Sequence, residues 1–346
     1  MDFSHSLCTT EFIAFTPSSR DDQFERKILQ LVDEGYVSGW DDPRLYTLIA
    51  LRSTLGVSMA ASNLQIARFE QTVRQYLEGS APHLFMVMHP LKVIIKNVPN
   101  DYLVMVDKLF HPKNPQLGSS QIPFTCMIYI NAGNFRLEDS KYYFCLAPGK
   151  SVSLFQAPYP ITCTSYKTDS ASGEVTEVFC HLEDSGTPPK TKVYIQWVAE
   201  HASSGSPVCI DKTRIFHPLF KSNNPLAATP DFKADINPNS MEVIEGAMVE
   251  RCVADALEEA WVRSAKIKAI PGAGSHDAHT PEITPGQLVG KECVQFKVCM
   301  LYLAVDSDSR LGALHEPSDV TPGIRQGNYL VLNRIASLKE DAGKGI

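Results

Sequence analysis

This chain contains no Cys-x-x-Cys pair, no histidine cluster at zinc-ligand spacing, and no glycine-rich phosphate loop or dinucleotide fingerprint. Those gaps argue against a zinc module, a thioredoxin-type redox site and a P-loop nucleotide enzyme, and no metal site is expected. A nucleophile triad is equally lacking. No apolar run reaches the length of a membrane span, and the opening MDFSHSLCTT has no basic n-region ahead of an apolar stretch. Neither membrane insertion nor a signal peptide is expected, and the compartment expected is the cytoplasm. An excess of positive charge is missing too: 32 Lys and Arg stand against 39 Asp and Glu, a net charge of −7. That balance gives no general sign of nucleic-acid binding, although a basic groove can sit on an acidic body.

What is present is an ordinary globular composition. The 346 residues are 44% hydrophobic and 21% charged, enough for two or three domains around a substantial core. Nine cysteines, odd in number and scattered, read as reduced and mostly buried thiols, with metal binding the lesser alternative.

The texture changes once along the chain. Residues 1–22 have no clear period. From Glu25 the pattern is helical: Ile28, Leu31 and Val32 share a face, and Gly35 fits the position just past a helix end. In WDDPRLYTLIALR, Asp41 or Asp42 supplies an N-cap and Pro43 the first helical position. A third helix follows Ser62 or Asn63 and ends at Gly79. Helices are therefore expected near 25–34, 43–52 and 62–78. After Pro82 come short β-branched runs punctuated by Pro, Gly and Asn: LKVIIKN, YLVMV, CMIYI, SVSLF, EVTEVF and KVYIQWV. Such spacing favours antiparallel barrels over a doubly wound sheet. Residues 247–265 read as a helix, and 271–287 as a flexible linker by composition. Strand texture returns at 293–305 and around YLVLNRIASL.

Seven strings, in order, resemble the glutaminyl-tRNA synthetases. They are HSLCTTEF (His5–Phe12), KILQLVDEGYVSGWDDPRLYTL (Lys27–Leu48), HPLKVIIKN (His89–Asn97), RLEDSKYYFCLAPGK (Arg136–Lys150), YPITCTS (Tyr159–Ser165), INPNS (Ile236–Ser240) and VLNRIASLKED (Val331–Asp341). The resemblance implies an α+β, mostly β fold: a short helical block, then two antiparallel β-barrels of the anticodon-binding, ribosomal-protein-like type. It divides the chain into a remnant of a class I catalytic domain (1–22), a helical stem-contact region (23–82) and a two-barrel domain (83–346) interrupted about 247–287. It implies glutamine-type tRNA as a weakly held partner, other synthetases as further candidates, and no membrane. Splayed anticodon bases are read by stacking surfaces together with Arg, Lys and Gln donors. On that basis Arg44, Lys150, Lys192, Gln295 and Arg334 are the tRNA-binding candidates. Lys150, Arg334 and Arg44 are as readily solvated or paired surface groups.

The same resemblance marks departures. The chain begins beyond the point where the family's HIGH-type signature would stand, and Cys8 sits in the one remnant of the amino-acid pocket. Where family members read close to VSKRK, this chain has Phe24, Glu25, Arg26 and Lys27 after Gln23. A carboxylate thus replaces the ammonium that would neutralise phosphate charge. Arginines expected before LAPGK, near the PVxI strand and before LAVD correspond to Cys145, Cys209 and Cys299, and a thiol lacks the five-donor guanidinium fork. The expectation is a catalytically silent tRNA-binding protein with no catalytic residues and no cofactor of its own, although intact family members use ATP. Two alternatives stay open: a decayed copy without function, and a piece of a working ligase whose N-terminal half is encoded separately.

Overall fold

A computed structural model of the chain describes residues 22–37, 42, 71, 73–75, 77–79, 81–140, 142–184, 191–222, 231–253, 295–298, 301–306, 309 and 329–337. Helix α1 (Asp22–Asp33) starts three residues before the expected 25. It stops as expected, because Gly35 adopts φ +74°, a left-handed conformation that costs a glycine nothing. Tyr36 N–H then donates to the Leu31 carbonyl at 2.9 Å and Gly35 N–H to that of Val32 at 3.0 Å, the paired bonds of a Schellman end. Leu31 and Val37 pack with Leu219, Phe220 and Phe232, which seats α1 on a later loop. Of the helix expected at 62–78, residues 71, 73–75 and 77–79 are helical. Val73, Leu77 and Ala81 bury against Tyr302. The helix expected at 43–52 lies outside the described residues.

The rest is β. In chain order the first strands are β1 (Met86–Val87), β2 (Pro90–Ile95), β3 (Leu103–Leu109), β4 (Ser119–Thr125) and β5 (Met127–Asn131). Then come β6 (Ser151–Leu154), β7 (Ile161–Thr168), β8 (Val175–Leu182), β9 (Tyr194–Ile195) and β10 (Trp197–Ala199). The last are β11 (Val208–Phe216), β12 (Met241–Val249), β13 (Gln295–Val298), β14 (Leu301–Val305) and β15 (Val331–Ser337). All the β-branched runs singled out in the sequence fall on strands. In β2 the residues alternate between half-buried and buried, as a strand with one face on a core must.

Seven strands lie in the order β10-β5-β2-β8-β7-β6-β9. The two edge strands are separated in the chain by Gln196 alone, so the segment 194–199 bridges both edges and nearly closes the sheet into a barrel. Trp197, buried at that closure, meets Phe124 edge-to-face with centroids 5.1 Å apart and donates its indole N–H to the Phe155 carbonyl at 2.9 Å. Six strands, β1-β12-β11-β15-β14-β13, form the second sheet, a half-barrel, and β3 and β4 make a separate ribbon. Because β1 pairs with β12, the chain touches the second sheet before it builds the first, and one continuous core runs through both.

Two features differ from expectation. Most pairings are antiparallel, but β2 with β8, β6 with β9 and β11 with β15 are parallel, since each pair is joined by long intervening chain rather than a hairpin. The helix expected from 247 does not begin there: β12 continues through Val249, held by its register with β11, and residues 252–253 are helical. Alternating burial at Ala247 and Val249 outweighs the helical propensity of the sequence beyond them.

Candidate nucleic-acid interface

The first barrel carries an aromatic face where β6 and β9 run side by side and the loop 136–144 crosses beside them. Val152, Leu154 and Ile195 point into the core, so their alternate neighbours point out. Phe155, just past β6, and Tyr194 on β9 meet edge-to-face with centroids 6.1 Å apart. Tyr194 is 63% exposed and Phe155 45%. Two residues before Tyr194, the exposed Lys192 holds its ammonium 5.0 Å from the centre of the Phe144 ring. Two residues before Phe144 in the same loop, Tyr142 is 84% exposed. Arg136 lays its guanidinium over the Tyr143 ring, Cζ 4.5 Å from the centroid. Exposed rings and cations therefore gather on this face, with Lys192 over Phe144 and Arg136 over the buried Tyr143 ring. Cations within about 6 Å of a ring face are attracted by its quadrupole.

Lys150 holds this loop in place. Its ammonium sits 5.6 Å from the Tyr143 ring, pairs with the Asp139 carboxylate and donates to the Tyr143 carbonyl. The bond from Lys150 holds the Asp139 carboxyl below the usual carboxylate range. Burial pushes the Tyr143 phenol up to about 12, so it stays neutral and keeps its packing role at any physiological pH. Cys145 is half-buried behind the loop, where its thiol donates to Asn134 Oδ1 at 3.8 Å; burial pushes this thiol up, against the pull of Lys150 and Arg136.

The structure distributes the predicted residues unevenly. Lys150 and Lys192 flank the aromatic strip. Arg334 lies on β15 in the other sheet, and its guanidinium donates to the Phe216 carbonyl. Gln295 opens β13, opposite Ala304 at that sheet's edge. Cys209 lies half-buried on β11, where burial, and then the Asp211 carboxylate, push its thiol up. Phe24, Glu25, Arg26 and Lys27 stand in the first two turns of α1, a helix rather than a loop, with Arg26 exposed. Cys8, Arg44 and Cys299 lie outside the described residues. Sequence reasoning missed Arg136, Tyr142, Phe144, Phe155 and Tyr194. The run YYF before CLAPGK was visible, but which of three adjacent rings faces water depends on the loop. No described helix is long and apolar enough to cross a membrane.

Residues 81–183, which span most of this barrel, match the family model described as the tRNA synthetases class I (E and Q), anti-codon binding domain. Over 99% of its length the chain is 35% identical to a probable glutamine–tRNA ligase of Schizosaccharomyces pombe, covering 43% of that protein. It is 31% identical to the glutamine–tRNA ligase of Saccharomyces cerevisiae, again over 99% of the chain and 44% of the relative. A cytoplasmic glutamine–tRNA ligase of Arabidopsis thaliana is 37% identical over 67% of the chain and 31% of its own length. The chain spans about half the length, or less, of these curated relatives.

Proposed function

Given that this chain is a glutaminyl-tRNA synthetase-like protein with the anticodon-binding domain of the glutamate and glutamine branch, we propose that it binds tRNA without charging it. The barrel would hold unpaired anticodon-loop nucleotides, and glutamine-type tRNA would be the ligand. One observation carries this: the matched segment 81–183 supplies Arg136 and the exposed rings Tyr142, Phe144 and Phe155 on a face that Lys192 and Tyr194 complete. Single-stranded RNA is recognised by that combination of stacking platforms and cations.

The silence towards chemistry rests on Glu25, which stands where an ammonium would meet phosphate. Removing one such electrostatic contact typically costs about 10²–10³ in rate, and a carboxylate inverts its sign. No ATP is required for the proposed role. In this reading residues 1–22 are the catalytic remnant, 23–82 contact the tRNA stem, 83–346 hold the anticodon, and the protein works in the cytoplasm. A second reading, a piece of a working ligase, is favoured by the half-length coverage of the relatives. Titration with glutamine tRNA tests binding; no saturable binding at low salt would overturn it. Glutamine-dependent ATP–pyrophosphate exchange is expected to be absent from the purified chain, and exchange appearing on addition of a synthetase N-terminal half would establish the second reading instead.

A further inference from the structure

We propose that Cys163 and Cys180 form a reversible redox site, closing into a cross-strand disulfide when a hydroperoxide oxidises the barrel. The two residues stand directly opposite each other in the antiparallel β7–β8 ladder. Their backbone groups turn away from one another. Cys163 N–H donates to the Lys150 carbonyl at 3.1 Å, and its own carbonyl accepts the Gly149 N–H at 2.8 Å. On the far side the Cys180 carbonyl accepts the Lys96 N–H at 2.9 Å. The N–H and C=O of one strand residue point to the same side, so this is a non-hydrogen-bonded pair of the ladder. Such pairs hold their Cα atoms about 4.5 Å apart, inside the range of about 4.4–6.8 Å that a disulfide spans. Among the described cysteines no other two are set opposite each other by strand register.

Two buried thiols could be no more than small apolar filling. Here, however, the thiols hydrogen-bond to each other, and the bond divides their roles. The hydrogen bond from Cys180 holds the Cys163 thiol below its usual value, against burial, while the same bond and then burial push the Cys180 thiol well up. The thiolate is the nucleophile, so Cys163 attacks and Cys180, which keeps its proton, resolves. The side chains are 1% and 0% exposed, which excludes bulky oxidants from the closed barrel. Cys163 is nevertheless the last buried residue of β7: Thr164 to Thr168 are all exposed, and the register slips between Cys163 and Ser165. A bulge disrupts its ladder locally, so a short opening there admits a molecule as small as hydrogen peroxide. The Cys163 sulfur bonds to one peroxide oxygen as the O–O bond breaks, and the departing hydroxide takes up the Cys163 proton as water. The Cys180 sulfur then bonds to the sulfenic sulfur; the S–O bond breaks, and hydroxide leaves with the Cys180 proton as a second water. Two thiols are oxidised by two electrons and one peroxide is fully reduced.

The test treats the reduced, folded full chain with hydrogen peroxide, then unfolds it in acid, alkylates the remaining thiols and digests with trypsin. Cleavage after lysine places Cys163 in peptide 151–167 and Cys180 in peptide 168–190, each with one cysteine. The expected product is these two peptides joined, two hydrogens lighter than their sum, and separated again by dithiothreitol. Cys180→Ala should leave a sulfenic acid on Cys163 that dimedone traps, and Cys163→Ala should lose both the linkage and the trapped acid. Both cysteines still open to alkylation after other cysteines have been oxidised would overturn the proposal. So would a linkage that forms only in urea, or Cys163 joined to a different cysteine. These readouts come from the unsubstituted chain, so they stand even if a variant fails to fold.

Discussion

At the residue scale the most exacting contact is Lys108 with Glu250, 142 positions apart in the chain. Their side chains are 1% and 3% exposed and 2.8 Å apart, and Lys108 also donates to the His83 carbonyl. Burial pushes the Glu250 carboxyl up, and the ammonium draws it back down. Removing one partner of a buried pair strands the other, which typically costs about 3–5 kcal/mol, whereas replacing both by apolar groups is often near neutral. Lys108→Met is therefore expected to lower stability by about that much in urea unfolding, and Lys108→Met with Glu250→Leu to recover most of it. A double variant as unstable as the sum of the singles would show that the pair is worth its desolvation. Asp139 gives the pH test. Its pKa is depressed in the fold, so its contribution is present above the ordinary carboxylate value of 3.8 and disappears as pH falls through the lower, folded value. By NMR, its titration is expected below the ordinary carboxylate value in the native chain and to move up in Lys150→Met.

Among the elements, short runs with a clear period were legible and their partners were not. LKVIIKN and SVSLF announce strands because burial alternates along them, and Gly35 announces a helix end because only glycine takes φ +74° freely. Met86–Val87 could not be read, since two residues carry no period and pair with a strand more than 160 positions away. The span 247–249 misled because local helical propensity extended past a boundary that β11 decides through register. The candidate site divides the same way. Lys150 was identifiable as a residue but not its capture by Asp139, and no pattern told Phe144 from Tyr143. The helix reaching 79 depends on similarly distant contacts: Leu77, 1% exposed, packs with Tyr302, whose hydroxyl donates to Glu78 at 2.5 Å. Leu77→Ala is expected to destabilise by about 2–5 kcal/mol through the lost methyls and the cavity left behind. Hydrogen exchange at the Ala81 amide, which donates to the Leu77 carbonyl, should accelerate first. Unchanged protection there would mean the helix is held by its polar contacts instead.

For the whole molecule, the proposed function turns on whether the two sheets would read a tRNA or merely hold one. Reading needs donors in fixed forks, and two of the three positions where the resemblance calls for arginine carry Cys145 and Cys209, half-buried thiols kept neutral by burial. A missing base contact typically removes about 1–3 kcal/mol of discrimination, so a chain lacking two of them should barely separate ligands that stack equally well. The unmodified protein is therefore expected to bind glutamine tRNA and an unrelated tRNA within about tenfold of each other at one salt concentration. The two restorations should not be equivalent. An arginine at 209 would arise beside the Asp211 carboxylate, whose Oδ2 already accepts the Leu330 N–H at 2.7 Å, and part of its charge would be spent inside the fold. At 145 the near charges are Lys150 and Arg136, both positive, so an added guanidinium would be driven outward to the strip where bases are proposed to lie. Cys145→Arg should thus raise affinity for glutamine tRNA more than for the unrelated one, and by more than Cys209→Arg does. A hundredfold preference for glutamine tRNA in the unmodified chain at physiological salt would overturn this account, since discrimination of that size requires base contacts that the two thiols cannot supply.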